Sequence, residues 1–212
     1  MNKRHENQQM LKNYQNLVAE GLRKIFPGEN NIRVEWTAML HGDIARFFSQ
    51  SQSSQKQMYS PRIDIAVGPF ATESQYIDTY DELMDSSHLF IHEMLVNHNQ
   101  NIRGFGGSSH PPQLTRNRNA RCFLAFEIER GNYASKYLMG SAVNAAALGR
   151  IGVFVAWHED RLKEFLKIRE YLLYLGKRRK NTFDTSNLLI LSKEQLQQCI
   201  EIHCGFDLPQ PK

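Results

Sequence analysis

The stretch of residues 121–157 constrains the fold of this chain more strongly than any other part of the sequence. Residues 121–129 (RCFLAFEIE) alternate two sets of mostly apolar side chains, as a strand buried on both faces does. Residues 135–148 are rich in small side chains, so a helix formed there can lie very close to a sheet. Residues 150–157 are almost continuously apolar, which predicts a buried parallel strand. The three pieces form one βαβ unit, so we expect a sheet with helices on both faces.

The rest of the sequence predicts further strands and helices around this unit. Residues 7–26 place apolar side chains at three- and four-residue spacings and precede Pro27 and Gly28, the pattern of an amphipathic helix and its end. Additional strands are predicted over residues 31–39, 62–67 and 187–191. Additional helices are predicted over residues 43–49, 74–98, 158–176 and 192–203, and a solvated loop over residues 49–60. We therefore expect an α/β fold with a mixed central sheet flanked by helices.

The length of 212 residues favours a single domain over residues 1–212, with a helical and loop insertion over about residues 71–120. A hydrophobic share of 41% and a charged share of 23% are those of a soluble globular protein. No run approaches the roughly 20 apolar residues that a membrane-spanning helix requires, and no secretory signal is evident. The odd number of cysteines, three, fits a reducing compartment. We expect a cytoplasmic protein with no membrane partner.

Three acidic residues mark a candidate site at the end of the expected sheet. Glu127 and Glu129 lie two residues apart on one strand, so their side chains project from the same face, about 6 to 7 Å apart along the backbone. If Asp64 lies on the neighbouring strand, three carboxylates converge, and burying such like charges is costly unless a cation or protons neutralise them. These oxygen ligands suit Mg²⁺ or Mn²⁺, which can activate water for phosphodiester hydrolysis. The alternative is an exposed strand end, where the glutamates are solvated or paired with Arg62 or Arg130.

The order of these elements and acids resembles the common core of the PD-(D/E)XK nuclease superfamily, which includes type II restriction endonucleases and DNA repair and recombination nucleases. The resemblance covers roughly residues 7–157, interrupted by the insertion, and rests on Asp64 and on the EIE motif at residues 127–129. It implies a restriction-endonuclease-like core in which Asp64 and Glu127 bind the metal. Glu20, on the first helix, would match an acidic residue that some members place beside the metal. Restriction-type enzymes often pair to cut both strands, so the resemblance also implies a homodimer.

The sequence departs from the superfamily at the third motif position, where most members have lysine and this chain has Glu129. Some restriction enzymes carry a glutamate there, and other members supply the lysine from the following helix, where Lys136 is suitably placed. The resemblance therefore implies that Asp64, Glu127, Glu129 and Lys136 are catalytic, with Lys136 orienting water or phosphate. The helix dipole disfavours a cation in a first turn, so Lys136 would gain from carboxylates or phosphate nearby. The alternative is an ordinary solvated lysine.

Residues 103–121 are rich in Gly, Ser, Pro, Asn and Arg and predict a long loop. Such a loop can wrap a nucleic acid, with arginine on phosphate or guanine and amides on base edges. The candidate nucleic-acid-binding residues are Arg103, Arg116 and Arg118, together with Arg62 on the second strand. A net charge of +4 tolerates such a partner without requiring one. We expect DNA, with RNA as a second candidate, and an ordinary surface loop is the alternative.

A second basic feature is the run KRRK at residues 177–180, which follows a predicted helix. Cations at a helix C-terminus are stabilised by the helix dipole, so this run needs no ligand to explain it. We expect it to be a solvated surface.

Three functional hypotheses are open at this point. The first is a metal-dependent DNA endonuclease, of restriction type by resemblance, in which Asp64, Glu127 and Glu129 hold Mg²⁺. The second is a catalytically inactive nucleic-acid-binding member of the same fold. The third is a protein-interaction domain whose acidic residues are surface charges.

Overall fold

A computed structural model of the chain describes residues 3–28, 31–38, 60–71, 76–105, 107–131, 134–180 and 184–205. The predicted helix over residues 43–49 and nearly all of the predicted loop over residues 49–60 lie outside the described residues. The other predicted strands and helices fall on described residues, except for residue 39 at the end of the first predicted strand and residues 74 and 75 at the start of a predicted helix.

Five strands form one sheet within the described residues. The strands are β1 (Ile32–Thr37), β2 (Arg62–Val67), β3 (Cys122–Glu129), β4 (Gly149–Ala156) and β5 (Leu188–Ser192). The helices are α1 (Lys3–Ile25), α2 (Ile77–Ser86), α3 (His88–Ile102), α4 (Pro111–Leu114), α5 (Ser135–Leu148), α6 (Glu159–Lys177) and α7 (Lys193–Cys204), with a 3-10 turn at Arg103–Phe105. The strand predictions are confirmed, with ends that shift by no more than a few residues.

The strand order is β1-β2-β3-β4-β5, so neighbours in the sheet are also neighbours in the sequence. β1, β2 and β3 pair antiparallel, with Val34 opposite Ile65 and Ile65 opposite Phe126. β3, β4 and β5 pair parallel, with Phe126 opposite Val153 and Val153 opposite Leu189. The predicted mixed sheet is confirmed, and α5 connects the two parallel strands β3 and β4.

Helices cover both faces of the sheet. On one face α1, α3 and α7 pack through Tyr14, Val18, Leu22, Phe90, Met94, Leu196 and Ile200. On the other face α5 and α6 pack through Leu138, Ala142, Ala145, Phe165 and Leu166. No helix of the described residues is long and apolar enough to cross a membrane.

Helix α5 rests directly on β4. A Cβ added to Gly152 would lie 2.7 Å from the backbone of Ala145 and of Ala146. Real Cβ atoms do not approach backbone atoms this closely, so a side chain at position 152 would push the helix off the strand. The small residues of α5 therefore have the role that the sequence predicts for them.

The predicted helix over residues 74–98 is wrong in one respect, because two helices, α2 and α3, meet there at Ser87. The Ser87 hydroxyl donates to the Leu83 carbonyl at 2.6 Å, and the Ser87 amide donates to the same carbonyl at 3.0 Å. A serine that bonds back to the preceding turn competes with continuation of the helix. Apolar spacing continues across this break, so periodicity alone does not reveal it.

Strand β2 is irregular at Asp64. Regular alternation would place Ile63 and Ile65 on the same face of the sheet, but Ile65 packs in the core with α1 and Ile63 packs on the other side with Trp36. In the neighbouring strand Glu35 has a φ of 54°, a left-handed conformation that is unfavourable for residues other than glycine. In both strands the buried side chains thus change from one face of the sheet to the other at this point. A pattern of alternating residues cannot predict such a change.

Helix α3 closes the β5 edge of the sheet. The Ile190 amide donates to His98 Nδ1 at 2.9 Å, and the Ile190 carbonyl accepts from Asn101 Nδ2 at 2.9 Å. Because Nδ1 accepts this bond, the proton of the neutral ring lies on Nε2, 3.1 Å from Ser109 Oγ. Side chains therefore satisfy backbone groups of an edge strand that would otherwise be open to pairing. The described part of the predicted insertion, residues 71–120, thus includes a helix, α3, that packs on the sheet.

We expect the stability of the protein to depend on pH through His98. Burial, and to a lesser extent the charge of Arg169, lower the pKa of His98 to about 3. The unfolded chain binds a proton at this histidine below about pH 6.5, whereas the folded protein does not, so stability falls as the pH drops from about 6.5. Between pH 7.5 and 5 the free energy of unfolding should fall by about 2 kcal/mol more in the wild type than in His98→Gln.

Urea unfolding at the two pH values measures this difference. His92→Gln is the matched control, because His92 is exposed on the same helix. An identical pH dependence in the wild type and in His98→Gln would contradict the role given to His98.

Candidate functional site

The site is built where β2 and β3 separate. Their paired residues run from Val67 opposite Leu124 to Ile65 opposite Phe126, while both strands continue beyond that last pair. Asp64 comes next on β2, and its Oδ2 accepts a hydrogen bond of 2.7 Å from the Ile128 amide. The Asp64 carboxylate thus accepts the bond that a backbone carbonyl of β2 would accept from the Ile128 amide in a regular sheet. This bond fixes Asp64 beside the last residues of β3.

Glu127 lies beside Asp64 on the central strand of the sheet. Its side chain is buried, with 7% of the residue exposed, and no donor among the described residues bonds to its carboxylate. Burial raises the pKa of Glu127 well above its usual value, and the negative charges of Asp64, Glu129 and Glu35 raise it further. Arg62 opposes these effects only in part. Glu127 is therefore a buried acid without a compensating partner in the described part of the chain.

Glu129 lies two residues further along β3, where the strand ends. Its Oε1 accepts a hydrogen bond of 2.7 Å from Ser141 Oγ on α5. Burial raises the pKa of Glu129, while the Ser141 bond and the charge of Arg161 lower it. Ser141 is a site residue that the sequence analysis missed. The signal for it is weak, since it is only a small polar residue within a helix rich in alanine.

A fourth acid, Glu35 of β1, joins the cluster. It lies between the pairs Val34–Ile65 and Trp36–Ile63, which places it opposite Asp64. Its carboxylate bonds to Arg62 Nε at 2.8 Å and accepts from Gln15 Nε2 at 3.3 Å.

The negative charge of Glu35 acts on the other acids of the site. That charge raises the pKa of both Asp64 and Glu127. The sequence analysis missed it because an acidic residue on the polar side of an amphipathic strand is ordinary.

The pKa of Asp64 is set by burial and by the charges around it. Burial raises the pKa of Asp64 to about 7, and the charges of Glu35 and Glu129 add to this. The hydrogen bond from Ile128 and the charge of Arg62 act in the opposite direction. The Arg62 side chain is 67% exposed, so solvent weakens its effect. At neutral pH the carboxylates of this site therefore favour either a shared proton or a bound cation.

Helix α1 contributes a different residue from the one predicted. Glu20 is exposed, and the structure gives it no contact with the carboxylates among the described residues. Gln15 instead is buried at 3% exposure and reaches Glu35. The five residues between the two positions turn the helix by about 500°, so they point in different directions.

Lys136 lies in the first turn of α5, at the end of the short connection from β3. It is exposed, and its Nζ lies 5.1 Å from the centre of the Tyr137 ring. The structure therefore places Lys136 on the same helix as Ser141, and among the described residues it shows no direct contact between Lys136 and the acids.

Of the four predicted arginines, the structure brings only Arg62 to the carboxylates, through its ion pair with Glu35. Arg116 and Arg118 line a cavity of about 460 Å³ with Asn187, next to the start of β4. Cys122, opposite the first residue of β4, begins β3 and Glu129 ends it, so this cavity lies about 23 Å away along the strand.

Arg103 is also remote from the acids. It lines a separate cavity of about 640 Å³ with Asn99, Gln100 and Ser108, next to the end of α3. Because α3 packs on β5, this cavity belongs to the opposite edge of the sheet from β1 and β2. The loop of residues 103–121 thus does not surround the carboxylate site.

The carboxylates of this site could hold a metal ion through few protein ligands. Within the described residues, no three His, Cys, Asp or Glu side chains are placed to hold a metal ion together. Mg²⁺ does not require such a set, because it is commonly held by one or two carboxylates and keeps several water ligands. Asp64 keeps one carboxylate oxygen free of the Ile128 bond, and Glu127 lacks a donor, so this pair fits that mode of binding.

No protein-family model, no curated protein and no solved structure matches this chain. The resemblance to PD-(D/E)XK nucleases therefore depends on the residues that carry it, Asp64 and the EIE motif at residues 127–129. What the site can do is decided by its own geometry and charge.

Neutral substitution of a clustered acid should stabilise the metal-free protein. A carboxyl group whose pKa is raised by folding contributes stability below about pH 4 and loses it as the pH rises through about 7. Asp64→Asn keeps an acceptor for Ile128 but carries no charge. In EDTA at pH 8 we expect its free energy of unfolding to exceed that of the wild type by at least about 1 kcal/mol.

Urea unfolding at pH 8 and pH 5 checks this expectation, and the difference should narrow at pH 5. Glu82 is an exposed glutamate on α2, so Glu82→Gln is the control. It should leave the free energy of unfolding unchanged at both pH values. Loss of stability at pH 8 in Asp64→Asn would show that the carboxylate is held by favourable contacts.

Proposed function

We propose that this chain is a divalent-metal-dependent nuclease that hydrolyses phosphodiester bonds in DNA. The observation that carries the proposal is the position of two adjacent acids on neighbouring strands, the half-buried Asp64 and the buried Glu127. Both have raised pKa values, and within the described part of the chain no cation forms an ion pair with Glu127. Strand packing gives no reason to bury these charges together, since a purely structural site would favour apolar residues. A site that binds Mg²⁺ or Mn²⁺ gives such a reason.

Asp64 and Glu127 are the residues that would hold the cation. When bound, a divalent cation supplies a site for the phosphate, lowers the pKa of a water molecule and stabilises the leaving oxygen. Asp64 is fixed for this role by the Ile128 amide, and Glu127 by its position within the central strand. Two carboxylates leave room for water and for the phosphate oxygens of the substrate.

Glu129 and Lys136 are proposed to act on the water and the phosphate. Ser141 holds Glu129 at the end of β3, so the Glu129 carboxylate is positioned to accept a proton from water. Its raised pKa makes this carboxylate a stronger proton acceptor than an ordinary glutamate. Lys136 has a long, exposed side chain at the start of α5 and would contact the phosphate as the substrate binds.

The arrangement of the chain supports a restriction-endonuclease-like core. A first helix is followed by two antiparallel strands, of which the second carries Asp64. The third strand ends in Glu127 and Glu129 and leads through α5 to a parallel fourth strand. This order corresponds to the core that the resemblance implies. Glu20, exposed on α1, stays a prediction for a metal-side residue.

Divalent cations should stabilise the wild-type protein. A ligand at 100 times its dissociation constant adds about 2.7 kcal/mol to the free energy of unfolding. We expect Mg²⁺ and Mn²⁺ to raise the Tm at pH 8, and Asp64→Asn and Glu127→Gln each to remove most of that increase. Differential scanning fluorimetry measures the effect, with Ca²⁺ as a further cation and Glu82→Gln as the control variant. An equal rise of Tm in all variants would place the cation elsewhere.

Cleavage of plasmid DNA, single-stranded DNA and RNA in Mg²⁺ or Mn²⁺ tests the activity itself. We expect the wild type and Glu82→Gln to cut DNA, and Asp64→Asn and Glu127→Gln to be inactive. Lys136→Ala should lower the cleavage rate about 100-fold or more, as loss of a transition-state donor does, while keeping the cation-dependent rise of Tm. If the wild type binds DNA without cutting it under any of these conditions, the chain is a nucleic-acid-binding protein and the nuclease proposal fails.

A further inference from the structure

Helix α6 carries an exposed face that its packing does not explain. Lys163, Lys167, Tyr171, Tyr174 and Arg178 are all exposed, and their spacing of four, four, three and four residues keeps them within an arc of about 80°. The opposite side of the helix is buried through Phe165, Leu166, Arg169 and Leu172. The helix therefore presents a continuous stripe of basic and aromatic side chains to solvent.

The two tyrosines are the unusual part of this stripe. Tyr171 is 53% exposed and Tyr174 is 56% exposed, so most of each aromatic ring is open to solvent. They lie three residues apart, about 4.5 Å along the helix axis. The guanidinium carbon of Arg178 lies 5.6 Å from the centre of the Tyr174 ring, a cation–π distance. Adjacent exposed rings beside a guanidinium form a surface on which flat groups can stack.

The face is positive over its C-terminal part, because three of the four acids of α6 are paired and the fourth, Asp160, is exposed in the first turn. Glu159 pairs with Lys163 at 2.7 Å, Glu164 with Arg161 at 2.5 Å, and Glu170 with Arg169 at 2.7 Å. Lys167 and the basic run at residues 177–180 remain on the exposed side. The helix dipole accounts for cations in the last turn, but it does not account for Lys167 or for the tyrosines.

The N-terminal end of α6 lies beside the carboxylate site. Arg161, in the first turns of α6, lies near enough to Glu129 to lower its pKa. The Ser135 hydroxyl of α5 donates to Glu164 at 2.6 Å, which fixes the start of α5 against α6. From there the 19 residues of α6 extend about 28 Å. The exposed face thus lies on a helix whose first turns adjoin the carboxylates.

We infer that the exposed face of α6 binds a single nucleic-acid strand, with bases stacked on Tyr171 and Tyr174 and phosphates near Lys167 and the basic run at residues 177–180. Stacking on a side chain requires unpaired bases, whereas a duplex offers only its backbone and groove edges. A basic groove with interleaved aromatic residues is the usual composition of single-strand binding surfaces. The inference rests on the proposed function, because it names the substrate class that would reach the carboxylates.

Fluorescence anisotropy with the full chain in EDTA tests the inference without cleavage. The probes are a labelled 12-residue oligo(dT) and a labelled blunt hairpin. We expect the wild type to prefer the oligo(dT), and Tyr171→Leu with Tyr174→Leu to weaken its binding about tenfold or more. Phe105→Leu, which removes an exposed aromatic ring outside α6, is the control and should bind like the wild type. An unchanged Tm of each variant verifies folding.

A charge substitution gives a second readout. Lys167→Gln should lower the slope of log Kd against log salt concentration by about 1, as loss of one phosphate contact does. Unchanged oligo(dT) binding in the double tyrosine variant, or equal affinity for the hairpin, would overturn the inference even if the protein cuts DNA. Retained oligo(dT) binding that depends on the tyrosines, in a protein that does not cut, would support the inference and refute the proposed nuclease.

Discussion

The hydrogen bond from the Ile128 amide to the Asp64 carboxylate is the contact on which the candidate site depends. It replaces a backbone partner at the point where β2 and β3 separate, so one carboxylate both completes the sheet and faces the adjacent acids. Glu127 precedes Ile128 in β3, and its position is therefore set by the same bond. The same side chain therefore belongs to the sheet through its hydrogen bond and to the site through its charge.

This arrangement is electrostatically unfavourable. Burial and mutual repulsion raise the pKa values of Asp64, Glu127 and Glu129, and the described cations nearby are few and peripheral. The packing of α1, α3, α5 and α6 around the sheet has to offset the unfavourable charge when no cation is bound. Binding sites often lower the stability of a protein when the ligand is absent, because their polar groups are then buried without water or ligand around them.

The sequence predicts the fold better than it predicts the surroundings of the site. Residues 121–157 specify β3, α5 and β4 because their patterns are local, and Asp64 lies beside Glu127 as the pairing of adjacent strands requires. The three acids together do not form the set of ligands that the sequence suggests, among the described residues. Glu35, Gln15 and Ser141 could not be found in this way. Their proximity depends on a left-handed residue in β1 and on how two helices dock, which are properties of the folded chain. The arginines of the loop before β3 show the same limit, because their distance from the acids depends on the direction in which β3 runs.

The contact between Gly152 and α5 also has an evolutionary consequence. Because a Cβ at this position would overlap the backbone of Ala145 and Ala146, selection should hold glycine at 152 and small residues at 145 and 146 even after most of the chain has diverged. Spaced seven and six residues before a glycine in an apolar strand, these positions form a signature independent of the acids. A distant relative that has lost its carboxylates would still be recognisable by it.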